Sequence, residues 1–499
     1  MLLLGIDLGT SSIKVSVVDA SSQQCIASAQ YPETESDIIA LKPGWAEQSP
    51  AMWWEHVQLA ILKLHAQRKY NPHDIVAIGI AYQMHGLVMV DKEQQALYNS
   101  IIWCDSRAVE IGDKAFDVIG KEKCLLRLLN SPGNFTASKL AWVKQNEPAV
   151  YEKIDKIMLP GDYIAMKLTG DTTTTISALS EGVFWDFQTN ELSKDVFEYY
   201  GLSASFVPEI RNVFAEHGKL SEKVAVTLSL KSGIPVTYKA GDQPNNALSL
   251  NVLQPGEVAA TAGTSGVIYG VSDQLTYDKE SRVNTFAHVN YTTEQKRLGV
   301  LLCINGTGIL NRWMKNIAGD KMNYQQINES AGTVSAGSDG LVILPFGNGA
   351  ERMLNNKTVH AHVQNIDLNK HSRAHLFRAA QEGIAFAFRY GLDIMKENGM
   401  HPGVIRASKA NMFLSDVFTE SFANTNNVAI EFYDGDGSFG AAIGAGIGAG
   451  IFADATSASR DRKPKSVVEP KQTDLYNDLY QNWREVLKRQ LDRSAQKNV

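Results

Sequence analysis

GIDLGTSSIKVSVVD at residues 5–19 and EVAATAGTSGVIYGVSD at residues 257–273 are the two stretches on which the fold turns. Each is an apolar strand, a break at Gly-Thr-Ser and a second apolar strand. Ordinary two-residue hairpins use Asn-Gly or Asp-Gly, whose residues tolerate positive φ. Hydroxyls at the turn point to another purpose. Glycine lets the backbone approach a ligand closely, exposed N–H groups form a concavity for an anion, and hydroxyls add donors. One such loop in each half suits a polyphosphate held between them. Because the flanking strands match as well, an internal duplication is a better reading than chance recurrence of a tripeptide. Asp7, a carboxylate inside the first strand, is suited to hold magnesium directly or through water. An edge-strand acid facing solvent is the competing reading.

A chain of 499 residues exceeds what one hydrophobic core serves, so two large domains are expected. With 44% hydrophobic and 20% charged residues the composition is that of a globular protein. A net charge of -6 with no basic stripe argues against nucleic acid as a partner. Cys25, Cys104, Cys124 and Cys303 form no C-x-x-C pair and read as reduced thiols of a cytoplasmic protein. The start, MLLLGID, has no basic leader region, so no secretory signal is expected. The most membrane-like run, 437–453, is short of the roughly 20 apolar residues a span needs and is mostly Gly and Ala.

Strand patterns fall at Leu2–Asp7, Ile13–Asp19, Ile75–Tyr82 and Leu87–Val90. A helix follows Ser49 as N-cap with Pro50 at its first position. Helices are expected at 136–147 and 194–200, and a strand at 234–239 runs into Gly241-Asp242-Gln243-Pro244 and another helix. The second half supplies a helix after Asn305-Gly306-Thr307-Gly308, a long one over 371–398, strands at 403–407 and 428–432, a Gly/Ala-rich helix and an amphipathic helix around 475–491. The domain boundary falls near Asn251–Pro255, giving domains 1–251 and 252–499.

Asp242 sits where a strand meets a helix. An acid there is commonly a helix cap; the functional alternative is a general base kept ionised by the helix N–H groups. Two other patterns are weaker. Residues 435–440 fit G-x-G-x-x-G, but no strand ending in an acid follows, and Gly440, Gly444 and Gly448 share one helix face suited to close packing on a sheet. His371 and His375 are spaced for a metal but lack the adjacent Glu of H-E-x-x-H, so a plain helix start is preferred. No G-x-x-x-x-G-K-[ST] is present, which excludes a P-loop.

Seven segments in order, IDLGTSSIKV, GWAEQSPAMWW (44–54), AYQMHG (81–86), IIWCDSRA (101–108), NFTASKLAWV (134–143), AGDQPNNAL (240–248) and TAGTSG (261–266), resemble the FGGY carbohydrate kinase family, and within it the xylulokinase branch. The resemblance covers nearly the whole chain. It implies an α/β fold of two actin-like, ribonuclease-H-like ATPase domains flanking a catalytic cleft, with sugar on the first domain and ATP on the second. It also implies site roles. Asp242 would be the catalytic base, and Met84, His85, Gln83, Trp103, Asn134 and Gln243 would bind sugar. Thr10, Ser11, Gly263, Thr264, Ser265 and Gly308 would hold the nucleotide, and Asp7 would serve Mg2+.

The implied reaction is ATP-dependent phosphorylation of a ketopentose, D-xylulose at O5. Ribulose, gluconate or glycerol kinases of the same family are the alternatives, as is a non-catalytic sugar-binding actin-like protein. Partners would be the sugar and ATP, without nucleic acid or membrane, and the resemblance leaves room for a homodimer. Two departures stand out. Gln381 replaces an apolar residue in HLFRAAQEGIAFAF (375–388). Ser408-Lys409 occupies the place of a glycine pair expected beneath adenine. With side chains there, Ser408 and Lys409 are expected to meet the nucleotide, weakening ATP binding and its discrimination from GTP.

Overall fold

A computed structural model describes residues 1–318, 322–459 and 462–497. The first sheet holds β1 (Leu2–Leu8), β2 (Ile13–Asp19), β3 (Cys25–Tyr31), β4 (Ile75–Tyr82) and β5 (Val236–Gly241) in the order β5-β4-β1-β2-β3. The three strands β1, β2 and β3 are antiparallel neighbours, while β4 and β5 run parallel to β1. The second sheet holds β6 (Val258–Ala262), β7 (Gly266–Ser272), β8 (Asn284–Ala287), β9 (Leu298–Ile304), β10 (Val404–Ser408), β11 (Ala429–Tyr433) and β12 (Ser466–Val468). Its order is β8-β9-β7-β6-β10-β11-β12. Without the edge strands β8 and β12, it repeats the first: three antiparallel strands, then two parallel ones. The repeated Gly-Thr-Ser hairpins are thus the equivalent β1–β2 and β6–β7 turns of two equivalent sheets.

Local sequence explains the main helices. In α1 (Pro50–His65), Ser49 caps by accepting from Met52 N, and Trp53, Val57, Ile61 and Leu64 bury one face. Four further helices matter to the site: α2 (Thr136–Asn146), α3 (Asp242–Ser249), α4 (Gly308–Ile317) and α5 (Arg373–Glu397). His375 serves as the N3 partner of the Ser372 cap of α5, and no metal-holding group of His, Cys, Asp or Glu occurs among the described residues.

The Gly/Ala-rich helix α6 (Gly437–Gly448) packs on the first sheet, although it belongs to the second half of the chain. Close approach requires glycine on both surfaces. A Cβ at Gly5 would fall 1.8 Å from Ser438 O, one at Gly79 2.0 Å from Ala441 O, and one at Gly448 1.9 Å from Thr237 O. The expected halves 1–251 and 252–499 each carry one sheet, and α6 ties the second to the first. In the C-terminal helix α7 (Thr473–Lys497), Tyr476, Tyr480 and Trp483 are buried. Trp483 donates to Ile343 O at 3.0 Å. No helix among the described residues is long and apolar enough to cross a membrane.

Candidate active site

Three carboxylates converge where β1 ends and α3 and α6 begin. Asp7 lies near the end of β1, Asp242 is the first residue of α3, and Asp436 is the N-cap of α6, accepting from Phe439 N at 3.0 Å. Gly437 leaves the room: a Cβ there would sit 2.2 Å from the Asp7 carboxylate. Burial, then the charges of Asp242 and Asp436, push Asp7 from 3.8 up to about 7 against the pull of Lys14. Burial raises Asp242 to about 6, although the backbone and side-chain amides of Gln243 hold it down. The expectation that helix N–H groups dominate at Asp242 is therefore corrected: they are present, and desolvation outweighs them. Nor is Asp242 a cap, because that place belongs to Gly241.

A cleft of about 560 Å3 opens beside Asp242, lined on the first-domain side by Met84, His85, Trp103, Asn134, Phe135 and Gln243. His85 adopts φ 63°, a left-handed conformation unusual for a side-chain-bearing residue. It is fixed from three directions. Its Nδ1 lies 3.0 Å from Glu181 O, so Nδ1 carries the proton and donates. Its own carbonyl accepts from the buried Lys139 Nζ at 2.8 Å. Phe135 and Phe286 pack on its ring, with centroids at 4.8 and 5.3 Å. Burial, with Lys139 and Arg352 nearby, lowers its pKa to about 3. The imidazole is neutral, and its Nε2 lone pair is left to accept from a ligand hydroxyl.

Asn134 donates to Asp105 O, and its buried Oδ1 has no partner, leaving a second acceptor at the cleft wall. Trp103, 52% exposed, donates from Nε1 to Thr10 Oγ1 at 3.0 Å. Thr10 in turn donates to Gln83 Oε1 at 2.9 Å, and Gln83 donates to Gln48 Oε1 at 3.1 Å. Gln83 is buried behind the wall, is not among the cleft's lining residues, and through these bonds braces the first turn. The Thr10 hydroxyl is likewise committed within the protein. The N–H groups of Thr10 and Ser11 have no acceptor among the described residues and stay available to an anion.

The second turn is held by α4, whose Gly308 and Ile309 N–H groups donate to Gly263 O and Thr264 O, both at 3.0 Å. Gly308 is required for that contact, since a Cβ would fall 2.2 Å from Gly263 O. Ser265 lines the first cleft. Gly263, Thr264 and Gly308 line an adjoining cavity of about 270 Å3 with Asn311, Asn328, Asn411 and Met412. Ser408 and Lys409 are not brought to it. Ser408 Oγ donates to Gly435 O at 3.1 Å, while Lys409 Nζ lies 4.8 Å above the Phe432 ring and 3.8 Å from Asp416. β10 ends at Ser408, and the chain turns before Asn411 and Met412 reach the cavity.

Several residues escaped the sequence reading. Lys139 is the one cation in the run NFTASKLAWV, which is its signal. Asp436 was visible as an N-cap inside the set-aside glycine pattern. Arg107, sandwiched over Trp45 at 3.7 Å and paired with Glu47 and Asp105 at 2.8 and 2.7 Å, fastens the two tryptophan-bearing motifs together. The second-domain wall, with Asn284, Cys303, Asn305 and Arg352, gave no local signal because these residues meet only through the fold.

A cleft between two sheets of one topology, with a phosphate-type turn from each, is the architecture of an actin-like phosphotransferase. The model of the N-terminal domain of the FGGY family of carbohydrate kinases matches residues 2–249, and that of its C-terminal domain residues 258–449. The chain belongs to that family and is an ATP-dependent sugar kinase. The xylulose kinase of Haemophilus influenzae is 28% identical over 412 residues, 81% of either chain. The structure of a xyloylose kinase from Brucella ovis matches with a TM-score of 0.88 at 26% identity, over 97% of this chain and 98% of that one. A gluconate kinase from Lactobacillus acidophilus reaches the same TM-score at 21% identity over 99% of both chains, a likeness of fold alone.

Proposed function

We propose that the protein transfers the γ-phosphoryl group of ATP to O5 of D-xylulose, giving D-xylulose 5-phosphate and ADP. The observation that carries this reading is Asp242, a buried carboxyl at about 6 opening on a cleft whose first-domain wall also offers two unpartnered acceptors, His85 Nε2 and Asn134 Oδ1. A polyol supplies the hydroxyl protons those acceptors lack. Its relatives support the ketopentose, since the H. influenzae protein is a xylulose kinase.

Transfer of this kind depends on positioning and charge stabilisation more than on covalent chemistry. Asp242 accepts the hydroxyl proton; near pH 7 a carboxyl at about 6 is ionised yet basic enough for the task. His85, Asn134 and Gln243 orient the acceptor. N–H groups of the Thr10–Ser11 and Gly263–Ser265 turns face the phosphates from the two domains. The triphosphate and adenosine extend toward the cavity lined by Asn311, Asn328 and Asn411.

Crowding of Asp7, Asp242 and Asp436 is unfavourable without a cation, and it fits Mg2+ brought with the nucleotide. No group of three ligands able to cage an ion occurs among the described residues. Such an ion needs only one or two protein carboxylates and keeps its waters, and Asp7 would hold it. When bound, it neutralises charge on the phosphate oxygens. The free thiols suit a reducing cytoplasm. Coupled measurement of ADP release tests the reading: D-xylulose should give the highest kcat/KM among D-xylulose, D-ribulose, D-gluconate and glycerol, and a panel led by another acceptor refutes it.

A further inference from the structure

A second groove, of about 630 Å3, lies between the two domains on the β2–β3 side of the first sheet. It is larger than the acceptor cleft, and it shares no lining residue with that cleft or with the cavity beside the second turn. One wall belongs to the first domain: the middle of β2 and β3 and the turn that joins them. The other belongs to the second domain: the end of β11, the start of α6 and the segment 462–465 that leads into β12.

The two walls differ in chemistry. The second-domain wall is cationic. Arg462 lies over the rings of Phe439 and Tyr433 at 4.8 and 5.7 Å. Of its five N–H groups it commits two to backbone carbonyls, Ser249 O at 2.7 Å and Asp434 O at 2.6 Å. Burial works against its charge. The carboxylates of this wall are engaged elsewhere. Asp434 pairs with Lys465, and Asp436 accepts from Ser438 Oγ at 2.8 Å and Phe439 N at 3.0 Å. Among the described residues neither Arg462 nor the exposed Lys463 has a carboxylate partner. The first-domain wall carries no charge and is rich in hydroxyls and amides. Ser21 and Ser22 donate to Asp19 Oδ1 at 2.6 and 3.0 Å, which leaves their oxygens as acceptors. Gln23 donates to Ala458 O at 2.8 Å, which leaves its Oε1 as another. The side chains of Gln24 and Ser28 make no hydrogen bond among the described residues.

A ligand that satisfies both walls has an anionic end for the guanidinium and the ammonium, and a body of hydroxyls for the serines and glutamines. A bare anion would use one wall, and an uncharged sugar only the other. We propose that this groove is a second small-molecule site that takes a phosphorylated sugar, with the phosphate on Arg462 and Lys463 and the hydroxyls on the turn at 21–24. The inference goes beyond the kinase reading; only the choice of probe rests on it. D-xylulose 5-phosphate is of the right class, so the product of the reaction has a place to bind outside the cleft that forms it.

Calorimetric titration of D-xylulose 5-phosphate into the full chain tests this, with D-xylulose held saturating to occupy the acceptor cleft and no nucleotide present. One ligand should bind per chain, and inorganic phosphate should bind at least about tenfold more weakly. Lys463→Glu, at an exposed position outside the catalytic machinery, should weaken the sugar phosphate about tenfold or more, the scale of one charge-assisted contact. Its kcat and KM for D-xylulose should stay within about twofold. Arg462→Lys should weaken binding as well, through loss of the planar fork. Complete displacement of D-xylulose 5-phosphate by D-xylulose places it in the acceptor cleft alone and overturns the inference. Inorganic phosphate binding as tightly as the sugar ester, or an unchanged affinity in Lys463→Glu, overturns it too. Binding as expected in a protein that fails to phosphorylate D-xylulose leaves this site standing and removes the kinase reading instead.

Discussion

Replacing Asp242 by Asn should make the protein more stable while nearly abolishing its activity. In the folded state burial lifts the Asp242 carboxyl from 3.8 to about 6. A raised carboxyl means that the fold prefers the protonated form. Ionisation is therefore a cost, absent below the unfolded value and complete above the folded one. At about 1.36 kcal/mol for each pH unit of that gap, the full cost is about 3 kcal/mol, an upper bound. Asn carries no charge, and its Oδ1 still accepts from the Gln243 amides, so the variant should escape the cost. It should also relieve Asp7, which is pushed up in part by Asp242.

The gain should follow pH: close to the full ~3 kcal/mol at pH 8 and about half of it at pH 5, where the folded carboxyl is already mostly protonated. By the usual scaling of about 2–4 °C per kcal/mol for domains of this size, Tm should rise by several degrees at pH 8. Loss of the base should lower kcat by about 10²–10⁴. Calorimetry at the two pH values, with coupled kinase assays on the same samples, checks both halves. An unchanged or lower Tm at pH 8, or a larger gain at pH 5 than at pH 8, would refute the assignment of a buried, ionised base.

Four further variants probe the surroundings. Glu181 is buried beside the Tyr82 hydroxyl, and burial, then Asp242 and Asp162, outweigh that hydrogen bond and hold it protonated well above the usual range. Glu181→Gln should therefore keep kcat within about threefold, with an unchanged pH profile, whereas Glu181→Ala should lower Tm by opening a cavity. His85 is neutral throughout the working range, so the pH profile should show no histidine titration near 6.5. His85→Phe should cost D-xylulose kcat/KM about tenfold or more through the lost acceptor, while sugar-independent ATP hydrolysis persists. Ser408→Gly with Lys409→Gly should leave the KM for ATP within about twofold, because neither residue lines the cavity beside the second turn. A larger fall in that KM would restore the pair to the nucleotide site.

How much was legible in the sequence depended on how local the signal was. The β1–β2 hairpin, the Ser49-Pro50 helix start and β4 were readable because cap, turn and apolar pattern lie within a few residues of each other. Strand β3, Cys25–Tyr31, was missed: its run of Ser, Ala and Gln lacks apolar alternation, and only an edge position on the sheet makes it a strand. His85, Met84, Trp103 and Asn134 do meet at one wall, as their motifs implied. Gln83, one residue earlier than Met84, belongs to the brace behind that wall, a difference of side-chain direction that no motif encodes. Ser408-Lys409 lies a few residues before the part of the loop that lines the cavity, because the end of β10 sets where the chain turns. Arg352 and Asn284 were invisible for a stronger reason: their pairing exists only after the second sheet has formed its edge.

The proposed reaction turns on one carboxylate, Asp242, accepting the proton as phosphorus moves from ATP to O5 of D-xylulose. Phosphorus-31 NMR of wild type and Asp242→Asn with ATP, Mg2+ and D-xylulose tests it directly. Wild type should convert the γ-phosphoryl signal into a monoester coupled to the C5 protons, with one ADP formed for each ester, and the variant should form about a hundredfold less or lower. A monoester at another carbon, inorganic phosphate in its place, or an Asn variant retaining more than about a tenth of wild-type ester formation would contradict the account.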